Sequence, residues 1–379
     1  MSLLFYDDSP VFGGHEVMAL LGLEAVLTDY PGEVVFLAAA ANGKLCERLA
    51  DIAAEHPNLA WERLDWHSSK LEALRNRLMP SRISTLAKRL SAHGPSLVVA
   101  VQGNIEHSSL VLHAARRAGI RVTSYIPVPH SNAGMGARFG AARDIFASGL
   151  FALPDAYVTI SDEMARMLRE RGARSPIHIV YNGVDTHRFR PGDGAAARRE
   201  LGLPLDRTLI GQIGRVEFRQ KQQHLLAEAV AGNPALASSC HLVFAGDGPD
   251  SGDLRAMIET RRLSATLLPW VDPARLYQAL DAVAIPSRYE GLPLVMLEAL
   301  ATGTAVLGSD RDGMRDLLPP EWRFRPNDAR ALAAALGGFV SLGKPGPNPG
   351  LVARVRDTMS LESFKRCFSS CVLGLADSG

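Results

Sequence analysis

The sequence predicts an α/β protein made of two parallel-sheet units. Three observations lead there. Short β-branched or apolar runs alternate with longer amphipathic runs throughout; the alternation breaks once at a cluster of turn residues and restarts; and 379 residues with 47% apolar content can fill two cores.

In the first half the expected strands are Leu3 to Tyr6, Val34 to Ala39, Leu97 to Val101, Val122 to Ile126 and Ala156 to Ile160. Helical stretches such as His15 to Leu27, Leu45 to Glu55 and Ser108 to Ala118 separate them, which makes this half Rossmann-like. Turn residues then gather at Tyr181-Asn-Gly-Val-Asp185 and Arg190-Pro-Gly-Asp-Gly194, read as an interdomain hinge. The second half repeats the pattern with strands at Thr208 to Ile213, His241 to Ala245, Thr266 to Leu268, Ala282 to Ile285 and Ala305 to Gly308. A Pro/Gly-rich loop at Gly343 to Gly350 precedes a terminal helix over about Leu361 to Leu375. The expected domains are therefore 1–185 and 186–360, and a deep cleft between two such units is a default binding site.

A formal net charge of +1 gives no global field for nucleic acid. Cys46, Cys240, Cys367 and Cys371 form no C-x2-C pair, and the 11 histidines show no ligand spacing, so no metal site is legible. Asp7 and Asp8 interrupt any leader-like start, and no apolar run approaches the roughly 20 residues of a membrane span. Reduced thiols and these features make the cytoplasm the expected compartment. One segment complicates that expectation. Lys70 to Arg89 carries six basic residues against Glu72 with leucines interspersed, a pattern that fits either an exposed helix face or peripheral contact with an anionic membrane at its inner face.

The strongest motif is Glu290-Gly-Leu-Pro-Leu-Val-Met-Leu-Glu298, which follows the strand Ala282 to Ile285 and Pro286-Ser287. Gly291 permits close backbone approach, Pro293 suits the first helical position, and the helix start favours an anion in front of it. Two solvated acids on a helix would give the same spacing, so context decides. Gly211-Gln-Ile-Gly214-Arg215 ends the first strand of the second half, and Lys221 follows six residues later. Arginine outnumbers lysine 35 to 6, and Lys221 stands alone between Lys88 and Lys344. A compact ammonium kept in an arginine-rich chain, with the Arg215 fork, can hold a diphosphate from two sides.

Gly246-Asp-Gly-Pro249 turns backbone amides toward the end of its strand but lacks the third glycine of a dinucleotide fingerprint. Gly13-Gly14 offers a similar turn after the first strand. Gln102-Gly-Asn104-Ile-Glu106-His107 and Pro127-Val-Pro-His130-Ser131-Asn132 end two expected parallel strands, where open sheets present polar groups to ligands. His130 is the catalytic-histidine candidate of the first half; a structural histidine is the competing reading.

The order of these motifs resembles family 4 of the glycosyltransferases, retaining enzymes of the GT-B fold with an E-x7-E motif. The resemblance runs over nearly the whole chain, through Gly13-Gly14, Asn182-Gly-Val-Asp185 with Phe189 and Pro191, Gly214-Arg215 with Lys221, Gly246 to Pro249, and Pro286 to Ala299. It implies two Rossmann-like domains facing each other across a deep cleft, with helix 361–379 completing the first, acceptor-side domain. It implies metal-free transfer of a sugar from a UDP-, GDP- or ADP-sugar, with no further cofactor, by front-face attack. Arg215 and Lys221 would hold the diphosphate, Glu298 the ribose, and Glu290 the donor sugar beside Gly291 and Leu292. Gly14, Gly214 and Gly246 would approach the donor, Trp270 and Val271 would flank its base, and His130 would face its sugar. Gln102, Asn104, Glu106 and Asn132 would shape the acceptor site for a glycan, a lipid-linked sugar or a small molecule.

Two departures stand out. Gln222 occupies a position where glycine often follows the lysine, and Asp312-Gly313 with Asp316 replaces the common Gly-Gly and Glu. Two other readings fit the same fold: a nucleotide-sugar epimerase or hydrolase, and a scaffold subunit that binds without turnover.

Overall fold

The structure, a computed structural model, describes residues 2–378. The chain divides into two compact units, residues 1–182 with 362–379 and residues 183–361.

The first unit runs β1 (Ser2–Asp7), α1 (Gly14–Asp29), β2 (Val34–Ala39), α2 (Gly43–Glu55), β3 (Leu59–Leu64), α3 (Glu72–Leu78), α4 (Pro80–His93), β4 (Pro95–Val101), α5 (Ser109–Ala118), β5 (Val122–Tyr125), α6 (Gly140–Ala147), β6 (Ala156–Thr159), α7 (Asp162–Glu170) and β7 (Ile177–Ile179). Its seven strands are all parallel in the order β3-β2-β1-β4-β5-β6-β7. Every residue of β1 and β2 is buried, as a sheet covered on both faces requires. The order turns back between β1 and β4, so the loops after these two strands, 8–13 and 102–108, open side by side.

The second unit runs α8 (Gly194–Glu200), β8 (Thr208–Ile213), α9 (Gln223–Ala231), α10 (Pro234–Ser239), β9 (Cys240–Ala245), α11 (Ser251–Thr260), β10 (Ala265–Leu268), α12 (Pro273–Ala279), β11 (Ala282–Ile285), α13 (Leu294–Thr302), β12 (Ala305–Ser309), α14 (Asp312–Leu317), β13 (Arg323–Phe324), α15 (Ala329–Ser341) and α16 (Pro349–Thr358). Its sheet is parallel in the order β10-β9-β8-β11-β12-β13. Here the order turns back between β8 and β11, paired at Ile210 with Ala282 and Gly211 with Val283. The loops that follow these strands carry Arg215 to Lys221 and Pro286 to Pro293.

The terminal helix α17 (Leu361–Asp377) packs on the first unit. Phe368 lies edge-on to Tyr125 at 5.4 Å, and a Cβ on Gly22 would stand 2.5 Å from its ring. Lys365 pairs with Glu24 at 3.0 Å. At the crossing, the Val184 N–H donates to the Met359 carbonyl and the Leu361 N–H to the Val184 carbonyl, both at 2.9 Å.

Three strands are additional to the sequence expectation. β3 is an edge strand whose Glu62 and Arg63 interrupt the apolar run; β7 and β13, of only three and two residues, are edge strands of the first and second sheet respectively. The expected basic amphipathic stretch over 70–89 is two helices, broken at Met79-Pro80 because proline removes a helical donor. Its charges are largely committed within the unit. Arg82 pairs at 2.7 Å with the fully buried Glu72, Arg75 at 3.4 Å with the same carboxylate, Arg89 with Glu62, and Arg77 donates to the Phe146 carbonyl at 3.0 Å. Among the described residues no helix is long and apolar enough to cross a membrane.

Candidate active site

The glycines that end β8 and β9 hold two loops together. Gly214 and Gly246 have φ of +125° and +128°, which side-chain-bearing residues rarely adopt. Gly214 donates to the Ala245 carbonyl at 2.9 Å and Val216 to the Asp247 carbonyl at 3.0 Å. A Cβ on Gly246 would sit 2.3 Å from the Gly214 carbonyl oxygen, and one on Gly248 2.2 Å from that of Val216. Gly246 and Gly248 are therefore demanded by close backbone approach, and Gly214 by its backbone angle. Beyond them Arg215 extends into solvent, 64% exposed and 3.8 Å from Glu217.

Lys221 ends that loop, and its Nζ lies 2.6 Å from Glu290 Oε1. The backbone stitches the same two segments: Arg288 N–H donates to the Gln220 carbonyl at 2.7 Å, and the Gln212 amide holds the Lys221 carbonyl at 2.6 Å. Lys221 and Glu290 line one small cavity with Gln212, Ser287 and Pro293. Gln222 has φ of +54°, so it adopts the left-handed conformation for which glycine is the easier residue. Its amide donates to Asn327 Oδ1 at 2.8 Å, an anchor glycine would lack.

Pro293 is the N-cap of α13 with ψ of 123°, so the helix begins one residue later than expected, at Leu294. The Glu290 N–H donates to Asp312 Oδ2 at 2.8 Å, and Gly313 N–H to the Gly291 carbonyl at 2.9 Å. Leu292 is buried. On the first turn and a half of α13, Glu298 Oε2 accepts a hydrogen bond from the Tyr277 hydroxyl at 2.7 Å. Burial raises the Glu298 pKa, against the lowering effects of Tyr277 and Arg188. Burial beside this carboxylate also raises the Tyr277 pKa well above its ordinary value, so the phenol stays a donor. Phe189, from the turn after the hinge, stacks edge-on against Tyr277 at 5.9 Å. Trp270, 80% exposed, and Val271 border a second depression with Ile213, Ala245 and Gly246.

In the first unit, Gly14 opens α1 and nothing lies within 4 Å of where its Cβ would be, so close packing does not explain it. His130 and Asn132 are buried. The Asn132 and Ala133 N–H groups donate to Asp144 at 2.8 and 3.0 Å. Gln102 is fully buried; its amide donates to the carbonyls of Ile105 and His107 at 3.1 and 2.7 Å and accepts from Ser124, so it braces its own loop. Asn104 closes that loop by accepting from the Glu106 N–H at 2.9 Å. Glu106, 1% exposed, accepts from Arg143 Nε at 2.8 Å, which ties the loop after β4 to α6.

Three residues that no linear spacing marks also come together here. Asp7, His15 and Glu16 each offer a ligand atom, and these atoms lie within 4.8 Å of one another. Glu16 accepts from the Gly13 N–H at 2.7 Å and pairs with His15 at 2.9 Å. Burial opposes its charge, but His15 and the Gly13 amide outweigh that and lower its pKa. Burial and the neighbouring Glu16 raise the Asp7 pKa well above the usual carboxylate range. Asp7 lies at the end of β1, and His15 and Glu16 in the first turn of α1, which explains why a search for ligand spacing passes over them. Tyr277 was equally silent in the sequence, because nothing distinguishes it within its helix.

Comparison with known proteins matches this fold. Residues 33–188 match the family model "Glycosyltransferase Family 4", and residues 207–341 match "Glycosyl transferases group 1". The D-inositol 3-phosphate glycosyltransferase of Nocardia farcinica is 36% identical over 223 residues, covering 52% of this chain and 48% of that protein. The protein of the same name from Rhodococcus opacus is 36% identical over 189 residues, covering 46% and 42%. The chain spans about half the length of these curated relatives or less. Among solved structures, Anabaena HepE in complex with UDP and glucose superposes with a TM-score of 0.76 at 17% identity, covering 99% of this chain and all of that one. Sucrose-phosphate synthase from Thermosynechococcus elongatus superposes with a TM-score of 0.74 at 18% identity over the full length of both. With two glycosyltransferase models matched in tandem and each unit a parallel α/β sheet, the chain is a family 4-type glycosyltransferase of the GT-B fold.

Proposed function

We propose that this protein transfers a sugar from a nucleotide-diphospho-sugar to an acceptor hydroxyl, with retention at the anomeric carbon and without a metal ion. The observation that carries this reading is the reversal of strand order between β8 and β11, where open sheets bind ligands. The two loops flanking that reversal bring the Lys221 ammonium and the Glu290 carboxylate to 2.6 Å from each other.

In this reading Lys221 exchanges part of its contact with Glu290 for the donor diphosphate, and exposed Arg215 folds over the same group. Together they stabilise the negative charge that develops on the departing phosphate. Glu290, so released, accepts hydrogen bonds from hydroxyls of the donor sugar. Glu298, held by Tyr277, keeps one oxygen for the ribose. The ring of Trp270 and the backbone beside Val271 take the base. The bond from the anomeric carbon to the phosphate oxygen breaks, the acceptor oxygen bonds to the same face, and the leaving phosphate oxygen takes the acceptor proton. Gly14 and His130 keep the roles that the family resemblance implies.

Relatives named for D-inositol 3-phosphate favour a polyol or cyclitol phosphate as the acceptor class, ahead of glycans or lipid-linked sugars. Peripheral membrane contact belongs to the same proposal. Exposed Leu78, Met79 and Lys88 are its candidate groups, because Arg82 is committed to Glu72.

Incubation with UDP-, GDP- and ADP-sugars, with and without inositol phosphates, tests the reading by following free nucleotide. Release that depends on the acceptor supports transfer. Release equally fast without acceptor indicates a hydrolase, epimerised donor an epimerase, and binding without any turnover a scaffold subunit.

A further inference from the structure

We propose that Asp312 is a positioning residue for Glu290, a task created by the replacement of a glycine. This rests on the role given above to Glu290. Asp312 is 2% exposed and has φ of +53°, the left-handed conformation in which glycine is unstrained and aspartate tolerated. Its Oδ2 accepts from the Glu290 N–H at 2.8 Å and from Arg311 Nε at 2.9 Å. The next residue returns the contact, Gly313 N–H donating to the Gly291 carbonyl at 2.9 Å. The approach is so close that a Cβ on Gly313 would stand 2.7 Å from that oxygen and 3.0 Å from Leu292 Cα.

The 290–292 turn is thus clamped from the β12–α14 side through its backbone, while Lys221 holds the Glu290 carboxylate from the β8–α9 side. A glycine at 312 could follow the same backbone path but could not accept the Glu290 N–H. The chain keeps a side chain in a conformation that disfavours it, and the return is a fixed peptide beneath a carboxylate that must meet the transferred sugar. Arg311 offsets the Asp312 charge, so two carboxylates in one buried turn do not repel unopposed.

Asp312→Gly and Asp312→Asn test this against the wild type. Asparagine keeps an acceptor oxygen and tolerates the left-handed backbone; glycine relieves the backbone and removes the acceptor. Hydrogen exchange of the Glu290 amide, read by mass spectrometry with fragmentation, should be at least roughly tenfold faster in Asp312→Gly and near wild type in Asp312→Asn. In the transfer assay kcat should fall roughly ten- to a hundredfold in Asp312→Gly, with donor KM within about twofold and Tm not lowered, and Asp312→Asn should recover most of the loss. Unchanged exchange and kcat in Asp312→Gly, or no recovery in Asp312→Asn, overturns the proposal. If Asp312→Gly fails to fold, a glycine is not accommodated, and the proposal fails as well. If exchange behaves as expected while the wild type turns over no donor, the positioning holds and the assignment of function fails.

Discussion

Removing the charge of Lys221 probes the ion pair at the centre of the proposed donor site. The Nζ to Oε1 distance is 2.6 Å, and the Lys221 and Glu290 side chains are 27% and 10% exposed. With an effective dielectric constant of about 20, unit charges roughly 3 Å apart attract by about 5 kcal/mol. Desolvation of the carboxylate and partial exposure of the ammonium return most of that, leaving a net coupling of about 1–2 kcal/mol. Lys221→Met removes the ammonium paired with the Glu290 carboxylate and should destabilise the protein by about 2–3 kcal/mol. Glu290→Gln keeps a hydrogen-bond acceptor for Lys221 and should cost about 1 kcal/mol. The double variant should then be less destabilised than the sum by the coupling energy. Urea unfolding of the four proteins, followed by tryptophan fluorescence, gives this cycle directly. Saturating nucleoside diphosphate should shrink the coupling, because the ammonium then faces phosphate. A coupling below about 0.3 kcal/mol without ligand would refute the reasoning, since the pair would then contribute no more than an exposed one.

Other consequences follow from individual contacts. Tyr277→Phe should cost about 1–3 kcal/mol and raise the Glu298 pKa further, so that nucleotide affinity in this variant keeps rising with pH above the usual carboxylate range, as titration calorimetry would show. Gly246→Ala should lose about 3 kcal/mol or more in urea unfolding, because a left-handed φ and a 2.3 Å clash coincide. Two buried groups oppose each other with pH. Burial raises the Asp8 pKa from its usual range to about 6, so its contribution to stability is lost as pH rises through about 4 to 6. Burial and nearby His15 lower the His107 pKa to about 4, so its contribution is lost as pH falls through about 6.5 to 4. Tm against pH should therefore slope more steeply upward in Asp8→Asn and more steeply downward in His107→Gln than in the wild type. Parallel curves for all three proteins would contradict that assignment.

Most of the parallel architecture could be read from the sequence because its buried strands are continuous apolar runs. Val34 to Ala39 and Ala282 to Ile285 have no charge to interrupt them, whereas β3 carries Glu62-Arg63 because an edge strand is only half covered. The Glu290, Glu298, Arg215 and Lys221 set could be singled out because each lies in the loop or the first turns of the helix that follow β8 or β11. The way these residues are held could not, since it depends on partners distant in the chain. Tyr277 lies 21 residues before Glu298, and Asp312 lies 22 after Glu290. Register between β11 and β12 creates the second of these contacts, and no local periodicity encodes it. The unusual residues at 222 and 312 were visible as departures from a glycine pattern. Their meaning required the backbone angles, +54° and +53°, which show side chains taking up glycine conformations in order to anchor neighbouring loops.

In the proposed reaction one strand-to-helix segment divides two tasks, Glu290 serving the transferred sugar and Glu298 the nucleotide. Titration calorimetry of the free nucleoside diphosphate against Glu290→Gln and Glu298→Gln, with kcat measured on the same samples, tests it most directly. Glu290→Gln should bind nucleotide within about twofold of wild type and lose kcat by roughly a hundredfold, while Glu298→Gln should weaken nucleotide binding roughly tenfold or more. The reverse pattern, or equal losses in both variants, would contradict it.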